Sequence, residues 1–584
     1  MRKLVLTSFI VGLLSLSGCD TPDPSAYETW TTKIRANDER ARSFGELQRL
    51  VLSVSSAGEE PRKLEFAEKV LPLFVELWDD ETAVGFRVQM LEMCRDMDQP
   101  AASVLWNKAI ILDGSSETRK GVLLALQGIR DARALDSVEA VIAAFEASMK
   151  DPSKDGKGAK GGGEIRMEYA KTLGVLRDKR AVPVLTTCLQ QPNETQPTAV
   201  HKEAVKALGL IGDPAATASL LAVQFKVGDF AGTQSIGERA NRALAAIGAG
   251  ALPLVIQQLK GQLKAVNEAA GAHDVPVRVV QQSAAGALGA MGLEAATADL
   301  VAFMPKADCT EKRSKADEPD PDEVGLRAFV ARSLGFIGGT AAVDDLCACR
   351  NATHNPGDLD EIVGALGRIG GDEAFSCLTD VVTKGFYDAD AVANSDFVHE
   401  IRWEGVRYLL MSASSADAAK IRATLAATKD KKVRQNMAQW EPGLKTLEDC
   451  KDDKACYSKV LADTSEEWIS REVAATQLSR LGRGDVGVAL NISKAFKVRS
   501  PDARVTMALL ASRTAAGKPC WECADALEGV MKSERGSASA KMQLAWLAAR
   551  QSIAKLTRGP RPGSGEAKSA VGETKPVGAE APVK

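Results

Sequence analysis

The stretch Ala-Leu-Gly-Leu-Ile-Gly-Asp-Pro-Ala-Ala at positions 207–216 decides the fold, because variants of it return along the chain. Close copies read Ala-Leu-Gly-Ala-Met-Gly at 287–292, Ser-Leu-Gly-Phe-Ile-Gly-Gly at 333–339 and Ala-Leu-Gly-Arg-Ile-Gly-Gly-Asp-Glu-Ala at 365–374. Looser copies stand at 126–131, 172–178 and 243–248. Successive copies are about 32 to 46 residues apart, a period typical of solenoids built from helical pairs.

Each copy falls where one helix is expected to end and the next to begin. Residues 204–211 place apolar side chains at helical spacing, which predicts an amphipathic helix. Gly212 predicts the end of this helix, because glycine tolerates the left-handed cap conformation. Asp213 is expected to accept hydrogen bonds from the amides that open the next helix, where Pro214 loses nothing by lacking an N–H. One repeat is therefore two helices joined by a short turn.

Neither helix of such a pair can bury its apolar face alone, so the pairs must stack on one another. Small residues at Ala207 and Gly209 are expected to let the paired helices approach closely. The pattern resembles HEAT repeats, particularly the short bacterial variety of phycobilisome lyases, from Arg119 to Thr428. The resemblance is weaker over Arg62–Ile111 and Val433–Ser552, where the Leu-Gly phrase is missing. It implies an all-α, right-handed α-solenoid of HEAT- or armadillo-like helical pairs.

These patterns divide the chain into five segments. The predicted boundaries are 1–18 for a lipoprotein signal peptide, 19–115 for an N-terminal helical cap of degenerate repeats, 116–428 for HEAT-like repeats, 429–557 for C-terminal helical repeats with disulfides, and 558–584 for a tail. The tail is rich in Gly, Pro, Lys and Glu and has almost no large apolar residue, so it is expected to be disordered.

The first residues resemble a targeting signal rather than part of the folded protein. Arg2 and Lys3 form a basic start, and the apolar run at 4–16 is too short for a stable membrane span. The following Leu-Ser-Gly-Cys at 16–19 resembles a bacterial lipobox, which implies cleavage before Cys19 and acylation of that residue, for example with palmitate. Multiple acyl chains anchor a protein stably. An ordinary secretory signal is the alternative, and the choice between inner and outer membrane stays open.

The overall charge excludes one class of partner. The chain has 74 Lys+Arg against 77 Asp+Glu, a formal net charge of −3, and loss of the basic leader would make it more acidic. A nucleic-acid-binding protein would instead show a basic stripe and a high isoelectric point. No second apolar run approaches twenty residues, so the lipid is the expected link to the membrane.

Ten cysteines follow Cys19, and an exported protein sits where disulfides persist. Connectivity cannot be read from sequence alone. Cys450 and Cys456 flank a polar turn between helical stretches, which favours a local disulfide.

A second disulfide is predicted across one repeat. Cys309 lies just before a first helix, and Cys347 and Cys349 lie at the end of its partner helix, so a bridge from Cys309 to one of these two is expected. Three further cysteines in apolar helical context are interpreted as small core residues: Cys94, Cys188 and Cys377.

One motif has the local features of a redox-active thiol site. Cys520 and Cys523 form a Cys-x-x-Cys at the start of a helix, where the helix dipole and unpaired amides lower a thiol pKa. A disulfide that staples one repeat is favoured instead, because no strand precedes the motif as in a redox domain. Zinc binding would need four ligands, and no second Cys pair or His pair accompanies the motif.

Other signatures of enzymes and metal sites are missing from the sequence. It contains no Gly-x-x-x-x-Gly-Lys-Ser/Thr, no His-Glu-x-x-His and no Gly-x-Ser-x-Gly. The four histidines are scattered and are interpreted as surface or helix-start residues rather than ligands: His201, His273, His354 and His399.

The sequence therefore predicts a non-catalytic scaffold or adaptor, lipid-anchored in the bacterial cell envelope, that presents an extended surface to another protein. No cofactor, metal, nucleic acid or small-molecule substrate is expected, and the partner is unknown. Two alternatives stay open: a thiol–disulfide redox factor using Cys520 and Cys523, and a maturation factor like the lyase-associated HEAT proteins. The lipobox disfavours the second, because such factors usually act on cytoplasmic partners.

Overall fold

The turn inside each repeat forms as its residue types predict. In this computed structural model Gly212 has φ of 73°, and the Asp213 side chain accepts a hydrogen bond from the Ala215 N–H at 2.9 Å. Pro214 opens a short 3-10 turn, Pro214–Ala216, which runs directly into the next helix. The recurring phrase thus ends one helix and starts another within a few residues.

The structure describes residues 23–80, 84–111, 116–151, 163–226, 235–305, 309, 325–351, 356–384, 395–534 and 540–558. All regular structure in these ranges is helical, and no strand occurs in them. The predicted fold class, an all-α solenoid of helical pairs, is confirmed. The predicted signal peptide, Cys19 and nearly all of the predicted tail lie outside the described residues.

The chain divides into two units, residues 1–144 and 145–584, and helix α8 crosses the boundary. The helices of the first unit are α1 (Tyr27–Arg35), α2 (Arg40–Ala57), α3 (Glu60–Lys69), α4 (Leu71–Trp78), α5 (Val84–Met97), α6 (Ser103–Ala109), α7 (Ser116–Asp131) and the start of α8 (Val138–Lys150).

The second unit contains most of the repeats and the C-terminal helices. Its first part comprises α9 (Glu164–Leu176), α10 (Val182–Gln190), α11 (Thr198–Ile211), α12 (Thr217–Lys226), α13 (Ile236–Ile247), α14 (Leu252–Leu259), α15 (Lys264–Gly271), α16 (Val277–Met291), α17 (Thr297–Phe303), α18 (Leu326–Ile337), α19 (Val343–Ala348), α20 (Pro356–Ile369) and α21 (Asp372–Lys384). Its second part comprises α22 (Ser395–Ser412), α23 (Ala418–Ala427), α24 (Lys431–Gln435), α25 (Glu441–Cys450), α26 (Lys454–Ala462), α27 (Trp468–Leu481), α28 (Val486–Lys494), α29 (Pro501–Ala515), α30 (Trp521–Ser533) and α31 (Ala540–Leu556).

The glycine of the recurring phrase lies against the first small residue of the next copy. A Cβ added to Gly335 would stand 2.8 Å from the Cα of Ala365, and one added to Gly209 would stand 2.9 Å from the Cα of Ala243. The close approach therefore joins the first helices of successive repeats, whereas the sequence analysis expected it between the two helices of one pair. The phrase recurs because each copy supplies both sides of this contact.

The first helices of the repeats form a continuous row. In chain order α9, α11, α13, α16, α18, α20 and α22 each pack against the next. The row continues from α22 to α27, α29 and α31, and α31 then packs against α13 and α16. Within the second unit the row therefore closes on itself. The C-terminal helices cover the inner helices of the repeats instead of extending the stack outward.

Among the described residues one stretch, Ile236–Leu259, is long and apolar enough by length and composition to cross a membrane, with a mean hydropathy of 1.3. A buried helical pair passes the same test. The stretch consists of two helices, α13 and α14, separated by the turn Gly248–Ala251. Because α13 packs against α11, α16 and α31, we interpret the stretch as one repeat of the row.

Candidate functional site

The structure pairs eight of the described cysteines as disulfides. The pairs and their Cα–Cα distances are Cys309–Cys349 at 4.2 Å, Cys347–Cys377 at 6.0 Å, Cys450–Cys456 at 5.3 Å and Cys520–Cys523 at 5.2 Å. Of the two partners expected for Cys309, the structure selects Cys349. Several bonds of this kind suit a protein that folds in an oxidising compartment.

Cys377 differs from its interpretation as a free core residue. It lies on α21 and pairs with Cys347 on α19, the second helix of the preceding repeat. The second helices of neighbouring repeats pack side by side, and the apolar spacing around Cys377 gives no sign of this neighbour. Cys94 and Cys188 are buried and unbonded, as expected. Burial raises the pKa of both thiols, that of Cys188 to about 12, so neither is a thiolate at neutral pH.

Cys520 and Cys523 are built into the packing of the last two helices. Cys520 is 4% exposed and Cys523 is fully buried. The Cys520 N–H donates to the carbonyl of Leu556 at 2.8 Å, and the Cys523 N–H donates to the Cys520 sulfur at 3.2 Å. The disulfide lies within the start of α30, and the hydrogen bond from the Cys520 N–H joins this start to the end of α31. Thiol–disulfide exchange requires access for an attacking thiolate, and this position offers little.

The structure describes the side chains of two of the four histidines. His201 is buried in α11, and His273 lies in the exposed turn after α15. His354 and the side chain of His399 lie outside the described part of the chain. Among the residues that are described, no group of three His, Cys, Asp or Glu side chains is placed to hold a metal ion.

Basic side chains from the C-terminal helices reach the carbonyl ends of the inner helices. Arg513 on α29 donates to the carbonyls of Gly335 and Arg368, the second at 2.6 Å. Arg558 donates to the carbonyl of Ala245 at 3.1 Å, near the end of α13. The last turn of a helix leaves carbonyls unpaired and carries partial negative charge, so a cation is stabilised there. These contacts hold the C-terminal helices against the first helices of the repeats.

Arg480 makes the same kind of contact at the end of α22. Its guanidinium donates to the carbonyls of Met411 and Ser412 at 2.7 and 2.9 Å. Burial lowers the pKa of Arg480, and it lowers that of Arg513 to about 10. Both remain cations at neutral pH, which keeps them effective as caps.

Three tryptophans form the wall of a pocket of about 400 Å³ in the second unit. Trp403 belongs to α22, Trp440 precedes α25 and Trp468 begins α27. The ring centroids of Trp403 and Trp440 are 5.3 Å apart with the planes tilted by 47°, and those of Trp440 and Trp468 are 6.0 Å apart at 82°. The rings touch, so they form one continuous, stepped apolar surface.

Polar side chains complete the pocket. Glu404 and Arg407 come from α22, and Gln439 precedes α25. The segment that leads into α29 and its first turn contribute the rest: Arg499, Ser500 and Asp502. Ser500 is held in place because its hydroxyl accepts the Ala503 N–H at 3.3 Å.

The floor of the pocket is fixed by a buried ion pair. The Arg407 Nε donates to the Glu472 carboxylate at 2.8 Å, and its guanidinium also donates to the Thr506 hydroxyl at 3.3 Å. Burial alone would lower the pKa of Arg407, but the adjacent Glu472 carboxylate outweighs this and raises it. The Arg407 guanidinium lies 6.0 Å from the centroid of Trp468. This pair connects α22, α27 and α29 beside the tryptophan wall.

The pKa of one carboxylate on α20, that of Asp360, depends on acidic side chains of the pocket. Burial, followed by the charges of Glu361 and Glu404, raises the pKa of Asp360 to about 6, and Asp502 adds to the shift. Arg368 opposes it. Asp360 therefore titrates close to neutral pH and links the stacked repeats electrostatically to the C-terminal helices.

The sequence analysis singled out none of the pocket residues. The tryptophans come from three separate segments, and none belongs to a recognisable motif. Only the closure of the row brings α22, α27 and α29 together.

Comparison with known proteins bears on the repeats. Residues 162–224 match a family model described as HEAT repeats, and no curated protein matches the chain. Human deoxyhypusine hydroxylase in complex with glycerol is 20% identical, with 53% of this chain and 96% of that chain covered, at a TM-score of 0.19. A chain solved in work on a phosphorylation switch in the interaction between cadherin and beta-catenin is 13% identical, with 88% and 97% covered, at 0.24.

Both TM-scores are too low for either structure to indicate the fold or the function of this chain. The family match stands on its own and falls on α9 to α12, where two copies of the recurring phrase occur. Residues 162–224 are therefore similar to HEAT repeats, and they lie within an all-α solenoid.

Proposed function

We propose that this protein is a non-catalytic scaffold, lipid-anchored through Cys19 in a bacterial cell envelope, that binds another protein on the second helices of its repeats. HEAT repeats suggest protein interaction as the general role. The closure of the row supports the finer proposal. Because α31 and its neighbours cover first helices of the repeats, the second helices are the surface left open to a partner, except where α15 packs on α12.

Two of the second helices, α10 and α14, expose polar side chains. On α10 the exposed side chains include Thr187 and Gln190, and on α14 they include Gln257 and Lys260, the residue that follows it. These positions recur once per turn, while the opposite faces of the same helices pack on the row. A partner that contacts both helices would bind more than one repeat at once, which is the usual benefit of a solenoid.

The envelope location rests on two independent features. The Leu-Ser-Gly-Cys at 16–19 resembles a lipobox, and the disulfide pairing in the described residues suits an oxidising compartment. Replacing Cys19 by serine should move the protein from the detergent-extracted membrane fraction to the soluble fraction, or leave the leader uncleaved. A correctly cleaved C19S protein that stays in the membrane would refute the anchor.

The interaction surface is tested by affinity purification of the full chain from detergent-solubilised membranes. We expect Thr187→Arg together with Gln257→Glu to remove a partner that the unaltered chain retains. Arg422→Gln, an exposed change on α23, serves as a folded control at a different repeat, and the pair Cys520→Ser and Cys523→Ser tests the redox alternative. Loss of the partner only in the cysteine variant, together with turnover of a test disulfide by the unaltered chain, would replace the scaffold by a redox factor.

A further inference from the structure

We propose that the Cys347–Cys377 disulfide is a thiol–disulfide exchange site, which an external dithiol reduces before the other disulfides in the described part of the chain. This goes beyond the scaffold role, because it adds a stoichiometric redox reaction that protein binding does not require. It also differs from the redox alternative at Cys520 and Cys523, because both of those sulfurs belong to buried residues.

The bond joins two second helices, and one of its cysteines is within reach of solvent. Cys347 lies on α19 and Cys377 on α21, and these two helices pack side by side. Cys347 is half-buried beside the exposed Ala348, whereas Cys377 is 3% exposed. An external thiolate therefore approaches the Cys347 sulfur, and the electron pair of the broken bond goes to Cys377.

A guanidinium lies against both sulfurs. The Arg350 Nη1 donates to the Cys347 sulfur at 2.8 Å and to the Cys377 sulfur at 3.1 Å. The Arg350 Nη2 donates to the Asp380 carboxylate at 3.1 Å, which fixes the guanidinium in this position. A cation beside a sulfur stabilises the thiolate that forms when the bond opens, and a stabilised thiolate leaves faster. Arg350 therefore favours reduction of this bond.

Asp380 does not cancel the charge of Arg350. The same carboxylate also pairs with Lys384, whose Nζ lies 2.9 Å from its second oxygen. One carboxylate is thus shared between two cations. The Arg350 side chain is only 21% exposed, so water and salt screen its charge less than that of a fully exposed arginine.

The other disulfides lack such a cation. Cys309–Cys349 and Cys450–Cys456 each include one half-buried cysteine, but among the described residues no charged side chain donates to their sulfurs. The Cys-x-x-Cys disulfide of α30 is buried and accepts a backbone N–H instead. Within the described ranges, an accessible cysteine and a charged donor therefore coincide once, at the bond between α19 and α21.

The exchange transfers two electrons from the dithiol to the protein. One thiolate of the dithiol attacks the Cys347 sulfur, the S–S bond breaks, and Cys377 leaves as a thiolate beside Arg350. The second thiolate of the dithiol then attacks the dithiol sulfur that is bonded to Cys347, and Cys347 leaves in turn. The dithiol becomes a disulfide, and the two protons that it loses are balanced by protonation of the two cysteines.

The test is a timed reduction of the full, folded chain, purified in detergent, by dithiothreitol. Samples are quenched with acid, unfolded and labelled with N-ethylmaleimide, and the labelled cysteines are identified by mass spectrometry. Thiols labelled at time zero, as expected of Cys94 and Cys188, are subtracted. We expect Cys347 and Cys377 to become labelled together and about threefold or more faster than any other pair.

Two variants at Arg350 test its role. Arg350→Gln should slow the opening of this bond by about threefold to tenfold, because it removes the cation from the sulfurs. Arg350→Lys keeps a cation there and should restore most of the rate. Because surface ion pairs contribute little to stability, both variants are expected to keep the melting temperature of the unaltered chain within a few degrees.

The matched control is Lys384→Gln, which removes a cation that pairs with the same Asp380 but donates to neither sulfur. It should change the rate by less than about twofold, because this lysine is mostly exposed and well screened. Equal slowing by Arg350→Gln and Lys384→Gln, or earlier opening of any other disulfide, would overturn the proposal. Neither result bears on the scaffold proposal, because no partner protein is present in the assay.

Discussion

The stacked repeats and the C-terminal helices solve the same packing problem by different means. Between repeats, helices meet through missing side chains: a Cβ on Gly335 would stand 2.8 Å from the Cα of Ala365. Where the row closes, long basic side chains span the junction, as Arg407 does to Glu472 and Arg513 to the carbonyls of α18 and α20. Backbone contact demands a repeated geometry, whereas a flexible arginine tolerates an irregular one.

This difference separates what is modular from what is specific in the molecule. A contact between a glycine and a small residue can be copied along the chain, so each repeat resembles the last. The ion pair and the carbonyl caps occur once, and they place three tryptophans side by side in the pocket. The specific features of this protein therefore lie at the closure, and the general ones lie in the stack.

The largest expected effect is at the ion pair of the closure. Glu472→Gln leaves Arg407 buried without a counter-charge, which should lower the free energy of unfolding by about 3–5 kcal/mol in chemical denaturation. The control is Glu448→Gln on the exposed pair with Arg422, where surface pairs contribute about 1 kcal/mol or less. Similar losses in both variants would mean that the closure is not held by this pair.

The next effect compares one disulfide from each region. Removing Cys309–Cys349, whose partners are 40 residues apart, should cost about 4 kcal/mol, because the longer loop gains more entropy in the unfolded chain. Removing Cys520–Cys523, 3 residues apart, should cost about 2 kcal/mol. Paired serine variants measured by thermal unfolding decide the matter, and a reversed order would show that loop length does not govern these bonds.

A smaller effect concerns Asp360, whose pKa depends on charges from both regions. The pKa of Asp360 is raised in the folded protein, so protonation favours folding and this contribution is lost as pH rises from about 4 to about 6. Asp360→Asn mimics the protonated group. It should therefore raise stability by about 2 kcal/mol at pH 7 and leave it unchanged at pH 4. A gain that is the same at both pH values would point to packing rather than charge.

The smallest effects contrast two helical glycines. Gly335→Ala should destabilise by about 1–2 kcal/mol, because the new methyl group meets the backbone of α20. Gly529→Ala on α30, where nothing lies within 4 Å, should instead stabilise by about 0.5–1 kcal/mol through helix propensity. Equal gains from both substitutions would contradict the close approach between first helices.

The sequence predicted the helical pairs well because their signals are local. The roles of Gly212 and Asp213 follow from φ and hydrogen-bonding rules that act over a few residues, and the structure shows both. The period of the phrase then implied stacking, since one pair cannot bury its own apolar face.

The closure and the pocket depend on contacts that the sequence does not signal. Arg513 and Gly335 are 178 residues apart, and nothing near Arg513 indicates that it caps a helix of another repeat. Cys377 looked like an ordinary core residue for the same reason, because its partner lies on the neighbouring repeat. Such contacts follow from the curvature of the whole row, which local spacing does not specify.

The most direct test of the account is whether Arg558, which follows α31, lies on α13. We would place the photo-crosslinking residue p-benzoylphenylalanine at position 558, irradiate the full chain and identify the linked peptides by mass spectrometry. Because Arg558 contacts the carbonyl of Ala245 and lies beside Gly248, the closed row predicts a crosslink to the peptide that contains these residues. Crosslinks confined to α29, α30 and α31, with none to α13, would contradict it.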